Sequence, residues 1–83
     1  MLMLITYDVN VTKEGGKKRL ARIAKICKNH GIRVQNSVFE CEIDPATWVL
    51  FKDKLLKTYN PELDSLRFYM LKGHHKIEHY GSK

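Results

Sequence analysis

Near the start of the chain, Leu2 to Tyr7 form a nearly unbroken apolar run. Such a run suits a β-strand covered on both faces, the position of a central strand in its sheet. It is too short to cross a bilayer, lacks the basic flank of a secretion signal, and runs directly into Asp8. A central first strand therefore sets the frame around which every later element has to be placed.

Asn10, Thr12, Gly15 and Gly16 mark a loop after that strand. Leu20, Ile23, Ala24 and Cys27 then recur at helical spacing, with Gly31 placed as a stop. The other faces of this helix carry Lys17, Lys18, Arg19, Arg22, Lys25 and Lys28, making it the most basic element. From Ile32 to Ile43 the chain is strand-like, but Val34 and Val38 share one parity while Phe39, Cys41 and Ile43 share the other. A flat continuous strand cannot do this, so a bulge or, preferably, a tight turn near Asn36 and Ser37 divides the stretch in two.

Asp44 followed by Pro45 opens a second helix, because proline suits a first turn whose amides lack partners. Trp48, Phe51, Leu55 and Tyr59, flanked by Val49 and Leu56, form a stripe that reads as core packing, and Asn60-Pro61 ends it. Leu66, Phe68 and Met70 alternate with Arg67, Tyr69 and Leu71 in a further strand stopped by Gly73, and Ile77 to Tyr80 suit a short edge strand. The order βαββαβ plus a short extra C-terminal strand is the split-βαβ arrangement of an α+β, ferredoxin-like sandwich. One domain spans residues 1–83, with 1–73 as the core and 74–83 as the appended strand. Two helices cover one sheet face, and a second copy of the chain is the economical cover for the other.

An 83-residue chain buries only about 60% of the surface its unfolded form exposes, so a homodimer gains it further apolar burial. Fifteen Lys and Arg against nine Asp and Glu give a formal charge of +6, doubled to +12 in a homodimer. That sign favours phosphate backbones through counterion release. Cys27 and Cys41 form no C-x-x-C pair and sit inside apolar patterns. Buried thiols in a reducing cytoplasm are the simplest reading, with no metal cage and no membrane association.

Asp8 is the most suggestive position, a carboxylate at a central strand's exit beside paired glycines. It either meets a ligand or closes an Asx-type turn, and spacing alone favours the turn. A Mg²⁺ site takes one or two protein carboxylates and keeps its waters, so two copies of Asp8 about a dimer axis would suffice. Gly15 and Gly16 either let backbone amides approach a phosphate or merely start a helix, and no nucleotide-triphosphate motif is present. Lys17, Lys18, Arg19 and Arg22 form a phosphate-contacting cluster, the alternative being a solvated helix face. His74, His75 and His79 invite a metal reading, but neighbouring histidines in a strand point apart and a polar tail is simpler.

The segments Leu4-Ile5-Thr6-Tyr7-Asp8-Val9, Lys18-Arg19-Leu20, Arg22-Ile23-Ala24-Lys25 and Gly31 to Cys41 together resemble the small CRISPR-associated endonuclease family, the lesser of the two core spacer-acquisition proteins. The block Arg33-Val34-Gln35-Asn36-Ser37-Val38-Phe39-Glu40 carries most of the likeness, and Asp64 to Tyr69 and Ile77 to Gly81 fit as well. The resemblance implies a homodimer whose C-terminal strand adds to the partner's sheet edge. It implies a metal-dependent phosphodiesterase centred on Asp8, with Mg²⁺ or Mn²⁺, acting on RNA or double-stranded DNA in antiviral spacer acquisition. Tyr7, Ser37 and Phe39 match as supporting residues, and Arg19 and Arg33 as further motif positions, Arg33 joining Lys17, Lys18, Arg19 and Arg22 as a nucleic-acid-binding residue. It also allows a role without catalysis, in which the dimer bridges two copies of the CRISPR integrase and supports the DNA to be inserted. A small-molecule regulatory module is a third reading, because this fold does not fix function.

Overall fold

The computed structural model describes residues 1–71 and 76–82. Gly73, His74 and His75, read above as a strand stop and part of a polar tail, lie outside the described residues. The elements follow as β1 (Leu2–Asp8), α1 (Gly16–Lys28), β2 (Ile32–Gln35), β3 (Val38–Glu42), α2 (Pro45–Thr58), β4 (Ser65–Met70) and β5 (Lys76–Gly81). All pairings are antiparallel, in the order β2-β3-β1-β4-β5. β1 is thus central, as its apolar run requires, and the sheet has ferredoxin-like topology.

Only one face of β1 is fully covered. Met3, Ile5 and Tyr7 are buried towards the helices, whereas Leu2, Leu4 and Thr6 are half-exposed. The expectation of a strand covered on both faces therefore fails for the single chain, because both helices lie on the same side. Phe39 and Cys41 of β3, Leu66 and Phe68 of β4, and Ile23 and Cys27 of α1 complete the core with Trp48, Phe51 and Leu55 of α2. Trp48 meets both Phe51 and Phe68 edge to face, at 5.5 and 5.0 Å between ring centroids. Val49, expected to flank that stripe, is instead 65% exposed.

The change of apolar phase between Val34 and Phe39 has two causes. Asn36 and Ser37 form a turn, and the β2 register also shifts between Arg33 and Gln35. β5 pairs in register with β4 of the same chain, from Ser65 opposite Gly81 to Met70 opposite Lys76. It is also tied to α2, where Lys52 bonds the Glu78 carboxylate and the Tyr80 hydroxyl donates to Glu78 Oε1 at 2.7 Å. Among the described residues no helix is long and apolar enough to cross a membrane.

Candidate active site

At its carboxyl end β1 sends Tyr7 inward and Asp8 outward, as strand alternation demands. Asp8 is exposed, and its register partner on β4 is Ser65, while Thr6 stands opposite Arg67. β5 extends both rows, with Gly81 beside Ser65 and His79 beside Arg67. Register partners share a face, so Asp8, Ser65, Arg67 and His79 collect on the open side of the sheet. Ser65 is 3% exposed, and its Oγ lies 2.9 Å from His79 Nε2. The sequence singled out Asp8, and His79 only as part of a histidine group set aside as a polar tail; Ser65 and Arg67 carried no local signal, and long-range strand pairing puts all four on one face.

On the helix side, Tyr7 stacks on Phe39 with centroids 6.2 Å apart, and the Arg33 guanidinium sits 5.1 Å above the same Phe39 ring. The Tyr7 hydroxyl donates to the Asn36 carbonyl at 3.3 Å, and its amide donates to the Ser37 carbonyl at 3.1 Å. Burial raises the Tyr7 phenol above its ordinary range, against an opposing hydrogen bond from Arg33. Tyr7, Arg33, Ser37 and Phe39 thus gather as one cluster, on the face opposite to Asp8. Tyr7 and Phe39 are buried and Ser37 half-buried, so these three brace the strand that carries Asp8.

Arg19 stands apart from the other cations of the expected phosphate-contacting cluster. Its side chain is 14% exposed and points inward, with Nε donating to Asp64 Oδ2 at 2.8 Å and Nη2 to Asp64 Oδ1 at 3.3 Å. Nη1 and Nη2 also donate to the Glu14 and Asn10 carbonyls, at 3.2 and 3.3 Å. Arg19 is therefore a strut, because four of its five guanidinium donors are engaged by Asp64 and by the Glu14 and Asn10 carbonyls. Asp64, fully buried, also accepts the Asn10 and Asn60 amides at 3.0 and 2.9 Å. The β1 exit loop, the start of α1 and the α2–β4 connection are tied together at this one carboxylate.

Lys17, Lys18 and Arg22 remain exposed on α1. The first two line a depression of about 410 Å³ with Val11, Lys13, Glu14, Gly15 and Gly16. Gly16 has a reason independent of any ligand, since a Cβ there would lie 2.1 Å from the Asn10 carbonyl oxygen and 2.7 Å from Val11 Cα. These cations belong to the helix side of the sheet, whereas Asp8 faces the open side, so the fold does not merge the two expected sets. Among the described residues no three His, Cys, Asp or Glu side chains form a metal cage. The exposed Asp8 carboxylate still fits a hard divalent ion that keeps its waters and binds substrate phosphate.

The family model described as CRISPR associated protein Cas2 matches residues 1–77. A Chlorobaculum tepidum protein named CRISPR-associated endoribonuclease Cas2 is 55% identical, over 100% of this chain and 88% of the relative. A Halalkalibacterium halodurans protein named CRISPR-associated endonuclease Cas2 is 49% identical, again over 100% and 88%. Among solved structures, Streptococcus pyogenes Cas2 at pH 6.5 superposes with a TM-score of 0.79 at 49% identity, covering 86% of each chain.

Proposed function

This chain belongs to the CRISPR-associated Cas2 family, and on that premise we propose that it is a nuclease that cuts phosphodiester bonds of RNA or double-stranded DNA at Asp8. The observation that carries the reading is the exposed Asp8 carboxylate at the end of the central strand, with Arg67 on the same face to favour an anionic substrate. Relatives named endoribonuclease and endonuclease both occur, so both polymers belong in the test.

Asp8 is the residue that would hold Mg²⁺ or Mn²⁺, whose chemistry when bound is to neutralise phosphate charge and lower the pKa of water. Tyr7, Phe39 and the Ser37 backbone fix the strand end from behind, so the carboxylate is held without help from the substrate. A homodimer formed through the open sheet faces would bring two copies of Asp8 to one assembly. The supporting feature is the apolar set on that face: half-exposed Leu2, Leu4 and Val38, with Ile32 at 73% exposure. In such a pair β5 can exchange onto the partner's β4, since a swap keeps every strand contact and costs little.

Cleavage of matched RNA and duplex DNA at graded Mg²⁺ and Mn²⁺, by wild type and Asp8→Ala, tests the proposal. Metal-dependent cutting should vanish in the variant while its circular dichroism and sedimentation stay those of wild type. An inactive wild type, or equal cutting by the variant, overturns it.

One observation favours a second reading. The exposed cations of α1 lie on the side of the sheet away from Asp8, which suits a dimer that holds DNA for the CRISPR integrase without cutting it. That reading expects spacer insertion to survive Asp8→Ala and to fail when Lys17, Lys18 and Arg22 are reversed in charge.

A further inference from the structure

We propose that His79 is the proton donor of the Asp8 site, the general acid that supplies the leaving oxygen of the cut phosphodiester, and that Ser65 is its positioning residue. The inference deepens the nuclease reading and rests on it.

Three strands build the arrangement. Asp8 on β1 stands beside Ser65 on β4, and the Ser65 hydroxyl meets His79 of β5 at Nε2, 2.9 Å away. The end of β5 is clamped there. Gly81 has φ +117°, and a Cβ on it would lie 2.0 Å from the Asp64 carbonyl oxygen and 2.7 Å from Ser65 Cα. The Ser82 amide also donates to the Asp64 carbonyl at 3.1 Å. The height of His79 above the sheet is therefore set by backbone contact as well as by Ser65.

The imidazole is exposed while the hydroxyl that holds it is buried, so it is oriented yet open to a substrate. The charged groups on this face around it are Arg67, its register partner on β4, and Asp8, one strand further on. Glu78 alternates to the helix side, where Lys52 and Tyr80 engage it.

With Nε2 committed to Ser65, proton transfer falls to Nδ1. Water adds to phosphorus as the bond from phosphorus to the leaving oxygen breaks. The leaving oxygen keeps that bonding pair and takes the Nδ1 proton of the imidazolium. The attacking water loses its proton to solvent, from which the imidazole is reprotonated. General acids of this kind contribute roughly 10²–10⁴-fold to rate.

The test uses the full-length protein, with His79→Gln, Ser65→Ala and Asp8→Ala beside wild type. On an ordinary oligonucleotide, His79→Gln should cut roughly 10²-fold slower, with dimerisation and substrate affinity unchanged. On an oligonucleotide with sulfur in place of the leaving bridging oxygen, which departs without a proton, His79→Gln should regain most of the wild-type rate. Asp8→Ala should stay inactive on both, so loss of the acid and loss of the site are told apart. Without metal, the His79 ring resonance should move between wild type and Ser65→Ala. Wild-type cutting by His79→Gln, or a defect just as large on the sulfur substrate, overturns the role of His79. An unmoved resonance overturns that of Ser65. A wild type that cuts neither polymer removes the nuclease reading and this role with it.

Discussion

Asp64 keeps its charge inside the protein because four donors surround it, two from Arg19 and one each from the Asn10 and Asn60 amides. Asp64→Ala leaves a guanidinium and two amides without their acceptor, and removing one partner of a buried pair costs about 3–5 kcal/mol. Urea denaturation should show that loss as a lower midpoint at unchanged slope. Burial pushes the Asp64 carboxyl upward, but the Arg19 hydrogen bond and the two amides outweigh it and hold the group below its ordinary value. A depressed carboxylate stabilises the fold at pH values above its unfolded pKa, about 3.9. That contribution drains away as pH falls from there through the lower folded value. Asp64→Asn should therefore be less stable than wild type at pH 7, with the gap closing below about pH 4. Titrations of unfolding against pH would check the convergence. The two thiols behave oppositely: burial first, and for Cys27 the neighbouring Cys41 as well, pushes them up to about 12 and about 11. Both should resist a disulfide reagent at pH 8 until denaturant is added, and rapid labelling of native protein would contradict the packing seen here.

Gly16 governs how α1 starts. Its missing side chain lets the Asn10–Val11 backbone lie directly on the first turn, a contact that no rotamer change can relieve. Gly16→Ala should destabilise by about 1–3 kcal/mol, the usual cost of overpacking, read as a lower melting temperature, and should disturb the Asp8 loop before the rest of the fold. A glycine pair ahead of a basic helix is ambiguous in sequence, since phosphate approach and backbone approach call for the same residue. The elements themselves were largely legible. Periodicity marked both helices, the phase change between Val34 and Phe39 marked the hairpin, and Asp44-Pro45 marked the start of α2, because each signal is local. Arg19 could not be told from Lys17, Lys18 and Arg22 in sequence for a physical reason: only the distant Asp64, which its guanidinium pairs with, distinguishes it. His79 was set aside in sequence as part of a polar tail, because the strand pairings that place it next to Ser65, itself beside Asp8, are not local. Local pattern thus singled out Asp8, and long-range pairing decides which residues share its face.

At the scale of the molecule, the open sheet face and the basic helix face pose separate tests. A standard interface takes about 800 Å² from each partner, a portion one sheet face can supply from a total surface of 5405 Å². Leu4 lies near the middle of that face and is already half-exposed, so Leu4→Lys should leave the protomer folded and shift sedimentation towards the monomer. The outer face of α1 bears on nucleic acid through charge alone. Each phosphate neutralised adds about −0.9 to the slope of log affinity against log salt for duplex DNA. Reversing Lys17, Lys18 and Arg22 together should weaken duplex binding regardless of sequence and make that slope shallower by about 0.9 for each contact removed. Arg19 is left intact in this variant because its loss would strip Asp64 and confuse unfolding with lost contact. If the slope stays at its wild-type value, the polymer does not lie along α1 and binds on the open side with Asp8. A shallower slope with Mg²⁺-dependent cutting retained would instead show that gripping and cutting are done by opposite faces of one small sheet.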